Sequence, residues 1–135
     1  DQKILVLRRS ASDTSRPLDW DFPGGTADPG EDVMEAGIRE VKEEVGLDIS
    51  LDAANIVHVS SAITPKKEES QEDIAHFHFL FFIEVEGEPK VTLSYEHDQY
   101  YWVSIEELEE YLPTQSPRYK EVYKHIFIDN PGLMG

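Results

Sequence analysis

Apolar and polar positions change rhythm several times along the 135 residues, and each rhythm predicts an element. Lys3–Arg9 (KILVLRR) is an apolar run closed by two cations and reads as a strand. Residues 10–21 are polar, include Pro17 and read as a loop. Asp28-Pro29-Gly30 is a turn that hands the chain to a helix. Asp32 is a natural N-cap and Gly46 a C-terminal stop, so the helix is expected over Val33–Val45. Beyond it, residues 55–63 and 74–85 alternate or run apolar as strands, and 99–104 form a shorter one. Residues 65–73 are a charged loop, and 105–112 and 117–128 read as two closing helices. One early helix followed by hairpin-like strands does not repeat as βαβ units. The expected class is therefore α/β, a mixed central sheet sandwiched between helices, in one domain over residues 1–135.

On a wheel of about 100° per residue, Met34, Ile38, Val41 and Val45 share a narrow stripe that is expected to face the core. Glu40, Glu43 and Glu44 fall on a flanking face beside the small Ala36, with Arg39 next to Glu43. Like charges at helical spacing repel by a few tenths of a kcal/mol per pair. A hard divalent cation would relieve that repulsion, since carboxylate oxygens are the ligands that magnesium, manganese and calcium prefer. Spacing alone is better explained by an acidic, solvated helix face.

The surrounding residues change this balance. Gly25, five residues, Glu31, seven residues, then Arg39-Glu40-Val41-Lys42-Glu43-Glu44-Val45-Gly46-Leu47 resembles the Nudix box, G-x5-E-x7-R-E-U-x-E-E-x-G-U with U apolar, at all nine specified positions. Chance would produce such a match in a chain of this composition on the order of once in a million. The preceding Trp20-Asp21-Phe22-Pro23-Gly24-Gly25 is similar to the usual lead-in of that family, as is the upstream strand. The resemblance implies an α/β/α sandwich and hydrolysis of a diphosphate linkage. It implies that magnesium, or manganese, is held by Glu40, Glu43 and Glu44, with the Gly25 carbonyl as a further ligand. Arg39 is expected to orient the glutamates and Glu31 to support the loop. Glu96-His97-x4-Trp102 resembles the E-H-x4-W segment that follows the box in many members. Glu96 is accordingly a candidate metal ligand or general base, second to Glu40 for the latter role. Arg9, at the end of the first strand, is the candidate contact to substrate phosphates. The family has a further strand upstream of the one that begins here at Lys3, so the chain is read as clipped or as lacking it.

Other candidates are weaker. His76 and His78 alternate onto one strand face and read as occupants of a partly buried surface rather than as ligands. Trp20 and Phe22 fit base stacking and core packing equally.

Composition narrows the partners. With 28 acidic and 12 basic residues, the net charge of −16 disfavours a nucleic-acid duplex and requires bound cations beside any polyanionic substrate. There are no cysteines, which excludes disulfides, thiolate sites and cysteine nucleophiles. No segment is apolar over the roughly 18 residues that a membrane helix needs, and a cytoplasmic location is expected. The expected partner is a small nucleotide-like diphosphate: a nucleoside triphosphate, nucleotide sugar, ADP-ribose or dinucleoside polyphosphate. A homodimer is left open. The rival readings are an RNA-end pyrophosphohydrolase and a nucleotide-sensing module without turnover; the intact box speaks against the second.

Overall fold

The computed structural model describes residues 2–50, 54–64, 68–69 and 72–134. Strand β1 (Lys3–Arg9) is central in a three-stranded antiparallel sheet, between β2 (Trp20–Asp21) and β5 (His97–Ser104). Its apolar run is explained by burial on both faces. Leu5 and Leu7 pack with Val45 and Val91 under helix α1 (Val33–Val45). Val6 packs on the opposite side with Val103, Leu108, Leu112, Ile126 and Phe127. That second layer is built by helix α2 (Pro117–Lys124) and the turns around it. The chain thus has helices on both sides of a sheet, in an α/β sandwich. Strands β3 (Ala54–Thr64) and β4 (Ile74–Ile83) form an antiparallel hairpin ladder of their own.

α1 has the limits expected from its caps. Asp32 accepts from the N–H groups of Met34 at 3.2 Å and Glu35 at 3.4 Å. Gly46 ends the helix at φ 74°, in the left-handed region that glycine enters without steric cost. The rotation of the helix differs from expectation. Its buried residues are Ala36, Glu44 and Val45, while Met34, Ile38 and Val41 are only partly buried. Small residues decide this. A Cβ on Gly37 would overlap the Phe81 ring of β4, so the strand approaches the helix where no side chain intervenes.

Three further differences have local causes. Trp20 and Asp21, expected in a loop, pair with Arg8 and Leu7 as β2. Residues 105–112 form no α-helix; a short 3-10 turn, Leu108–Tyr111, stops before Pro113. The last helix gives way at His125 to a wider π-type turn, His125–Asp129.

β5 begins at His97, two residues earlier than expected, through a bulge. Arg8 pairs with Gln99 but Arg9 with His97, so Asp98 is the extra residue. Arg8 grips the Asp98 carboxylate with two hydrogen bonds of 2.8 and 3.0 Å. The bulge sets the direction in which Glu96 and His97 leave the sheet. Among the described residues, no helix is long and apolar enough to cross a membrane.

Candidate active site

A cleft of about 1330 Å³ opens between the lead-in loop, α1, β4 and α2. Of the residues singled out in the sequence, Arg9, Gly25, Glu40, Glu44 and Glu96 line it. Arg39 and Glu43 do not.

The helix rotation separates the three glutamates. Ala36, Glu40 and Glu44 lie four residues apart and form the ridge facing the cleft. Glu44 is only 5% exposed, and its Oε2 accepts from the Gly24 N–H at 3.0 Å. Burial, opposed by that hydrogen bond and reinforced by Glu40, Glu96 and Asp21, pushes its carboxyl up to about 7. Burial likewise raises Glu40. The backbone of Gly25 lies against the Glu40 carboxylate so closely that a Cβ there would overlap it.

Glu43 is exposed and faces Arg39, whose Nη1 donates to its Oε2 at 3.2 Å and to Glu40 Oε1 at 3.1 Å. The same guanidinium donates to both oxygens of Glu31, at 2.8 and 3.0 Å, and to the Thr26 carbonyl at 3.1 Å. The Arg39 hydrogen bonds, with one from the Asp28 N–H, hold the Glu31 carboxyl down at about 2. Arg39 and Glu31 thus tie the loop after Gly25 to the helix.

Glu96 comes from the other side of the cleft. Ser10 donates from its N–H to the Glu96 carbonyl at 2.9 Å and from its hydroxyl to the Tyr95 carbonyl at 2.7 Å. The preceding segment is fixed to the end of α1 by Thr92 N–H to Val45 carbonyl and Ser94 N–H to Glu44 carbonyl, at 2.9 and 3.0 Å. The Glu96 carboxylate has no hydrogen-bond or ion-pair partner among the described residues.

Arg9 lines the cleft with its guanidinium already engaged by Asp13 at 2.6 Å and Asp21 at 3.4 Å. Sequence reasoning passed over Asp21, Arg16 and His97, all of which line the cleft. Asp21 also takes Arg16 at 3.0 Å, and His97 is buried, which lowers its pKa. An acid in a two-residue strand and a histidine at the start of another carry no periodic signal; the bulge and the β1–β2 pairing bring them together. Trp20 and Phe22 are half-buried and pack against the core, Trp20 meeting Tyr111 edge-on at 4.8 Å and Phe22 meeting Tyr123 at 4.7 Å, and Phe22 also lines the cleft. His78 is half-buried with its ring 5.7 Å from that of Tyr119, whereas the side chain of His76 lies outside the described residues.

The donor set suits a hard divalent cation. Glu40, Glu44 and Glu96 present only oxygen, each adds negative charge where Glu44 already resists ionisation, and Gly25 brings backbone to the same point. Among the described residues no three acids or histidines stand close enough to surround one ion as they are.

The NUDIX domain family model matches residues 1–126. The chain belongs to this family. Among Nudix relatives, it is 29% identical over 111 residues to the CTP pyrophosphohydrolase of Escherichia coli, covering 82% of this chain and 73% of that one. It is 46% identical over 52 residues to a putative 8-oxo-dGTP diphosphatase of Bacillus subtilis, covering 38% of this chain. The chain spans about a third (32%) of the length of that relative. The crystal structure of a MutT protein from Methanosarcina mazei superposes with a TM-score of 0.61 at 30% identity, covering 90% of this chain and 82% of that one. The Nudix box of this chain is therefore a box in its family fold.

Proposed function

We propose that this chain is a magnesium-dependent hydrolase, with manganese as a substitute, that cleaves the diphosphate linkage of a small nucleotide-like molecule. One observation carries the reading: Glu40, Glu44 and Glu96, from two separate stretches of chain, converge on one cleft with the Gly25 backbone against Glu40. Glu40, Glu44 and the Gly25 carbonyl would hold the metal, with Glu43 joining on release from Arg39 and Glu96 left to act as the base. Bound there, the metal would offset the charge of the diphosphate and acidify a water molecule.

The protein's own groups do the rest. Arg39 and the Gly24 N–H hold Glu40 and Glu44 in place. The side-chain pairings rank Glu96 ahead of Glu40 as the base: Glu40 accepts from Arg39, whereas the Glu96 carboxylate has no partner among the described residues. Water gives its proton to Glu96 as its oxygen bonds to one phosphorus. The bridging P–O bond breaks, and the second phosphate leaves with that bond's electrons. Arg9 meets phosphate oxygens with guanidinium N–H donors that it shares between them and Asp13 and Asp21. A single domain over residues 1–135, working in the cytoplasm on a small molecule rather than a nucleic acid, is consistent with the −16 charge and the absence of cysteine.

The test is a panel of nucleoside triphosphates, nucleotide sugars, ADP-ribose and dinucleoside polyphosphates with magnesium, products identified by mass. Glu96→Gln is expected to lower turnover at least tenfold at an unchanged unfolding temperature. Cleavage of nothing in the panel, or a fully active Glu96→Gln, defeats the proposal.

A further inference from the structure

The loop between β1 and β2 is organised around Arg16. Its side chain is 12% exposed, and each guanidinium nitrogen has an acceptor. Nε donates to Asp19 at 3.0 Å, Nη1 to Asp21 at 3.0 Å and Nη2 to the Trp20 carbonyl at 3.2 Å. The guanidinium lies over the Tyr119 ring at 5.4 Å. Neutralising the buried Asp19 accounts only for the first of these bonds. That carboxylate also accepts from the Thr114 N–H at 2.8 Å, the Thr114 hydroxyl at 3.0 Å and the Gln115 N–H at 3.2 Å. The second bond goes instead to Asp21, which lines the cleft.

Two arginines compete for Asp21. Its Oδ2 accepts from Arg16 at 3.0 Å and from Arg9 at 3.4 Å, while its Oδ1 accepts from the Phe22 N–H at 2.8 Å. The short bond belongs to Arg16; the bond to Arg9 is longer than a good N–H···O contact. Asp13, the other acid on Arg9, takes its Nη2 through Oδ2 at 2.6 Å. The Asp13 Oδ1 accepts from the N–H groups of Ser15 and Arg16 at 2.9 and 2.8 Å, so this acid is fixed by the same loop. Arg9 is the less satisfied of the two cations. Its Nε is buried without an acceptor among the described residues, and its Nη1 has the long bond to Asp21. Buried donors are rarely left in this state, and Arg9 can take a further acceptor where Arg16 has no nitrogen to spare.

We propose that Arg16 is a positioning residue: by occupying Asp21 it prevents that acid from closing on Arg9, and so keeps the Arg9 guanidinium open to a phosphate oxygen. The phosphate contact of Arg9 is taken from the hydrolase reading, on which this role rests. Released from Arg16, Asp21 would pair through both oxygens with Arg9, the strongest arrangement of a guanidinium and a carboxylate. A phosphate would then have to displace it. The fork also explains why the residue is arginine. A guanidinium addresses Asp19, Asp21 and a carbonyl at once, whereas a lysine ammonium is a point charge that settles on one acid. Asp19 would hold it, because its side chain is fully buried and an unpaired charge costs most where water is excluded. Arg16→Lys therefore releases Asp21 while leaving Asp19 paired.

Calorimetric binding of inorganic pyrophosphate, with magnesium present, tests this. Arg16→Lys is expected to weaken binding roughly tenfold, the worth of one hydrogen bond to a charged group. Adding Asp21→Asn, which keeps the shape but not the charge that grips Arg9, is expected to restore most of that loss. The gain should be at least threefold larger than Asp21→Asn gives in an otherwise wild-type chain, where losing an acid beside an anion helps by itself. In an Arg9→Ala chain, Arg16→Lys is expected to alter pyrophosphate binding by less than twofold. No binding by the wild type, or no effect of Arg16→Lys, overturns the proposal. So does a loss that Asp21→Asn fails to restore or that persists in Arg9→Ala, since Arg16 would then touch the phosphate itself or merely hold the loop. Should Arg16→Lys not fold, side-chain NMR of the wild type carries the test. Pyrophosphate must shift the Arg9 guanidinium signals more than those of Arg16, and the reverse overturns the proposal. Turnover on the same preparations separates the two readings. The expected binding pattern without cleavage of any diphosphate sinks the hydrolase reading alone; cleavage with additive Arg9 and Arg16 effects sinks the positioning role alone.

Discussion

Replacing Glu44 by Gln should make the metal-free protein more stable while impairing its chemistry, and the gain should appear only above acid pH. Glu44 is 5% exposed, and its carboxyl is pushed up from 4.5 to about 7, burial being the largest cause. At about 1.4 kcal/mol per pH unit, ionising it in place costs roughly 3 kcal/mol more than ionising it in the unfolded chain. Solvent in the cleft screens part of this, leaving about 1–2 kcal/mol. The sign follows from linkage. Between about 4.5 and 7 the folded chain holds this proton and the unfolded chain does not, so the contribution of Glu44 to stability declines as pH rises through that window. Gln has the same shape, keeps an oxygen for the Gly24 N–H and never ionises. Thermal unfolding in a chelator should therefore show equal melting near pH 4.5 and a variant higher by about 5 °C at pH 8. Glu43→Gln, on the exposed side, should show no such pH-dependent gain. Identical melting of wild type and Glu44→Gln at pH 8, or a gain as large at pH 4.5, would refute the reasoning.

Magnesium at about 100 times its Kd should add roughly 2.7 kcal/mol to folding. Sodium chloride of matched ionic strength should add less, and differential scanning should find the gap reduced in Glu40→Gln/Glu44→Gln but not when Glu106 and Glu107 are neutralised. Gly37→Ala, which would help an isolated helix, should instead lose about 1–3 kcal/mol because its Cβ meets the Phe81 ring; a stabilised variant in urea titration contradicts that packing. Asp19→Ala should cost about 3–5 kcal/mol. It removes a fully buried carboxylate that accepts from Arg16 at 3.0 Å, Thr114 N–H at 2.8 Å and Gln115 N–H at 3.2 Å. An unfolding midpoint close to wild type would show that the network contributes little.

The box from Gly25 to Leu47 was legible in the residues because its chemistry is local. Asp32 and Gly46 cap the helix through backbone groups a few residues away, and helical spacing alone brings Arg39 to Glu43. The buried run of β1 was legible for a similar reason, since a strand covered on both faces must be apolar throughout. What the pattern could not determine was the rotation of α1. The apolar stripe pointed Met34 and Ile38 inward, but the close approach at Gly25 and Gly37 put the Ala36–Glu40–Glu44 ridge there instead. An absent side chain acts only when another segment arrives, and that segment is distant in sequence. The same holds for the Asp98 bulge and for Asp21 beside Arg9 and Arg16. Charge and proximity between remote residues depend on which pairs the fold brings together, and no periodicity along the chain encodes that.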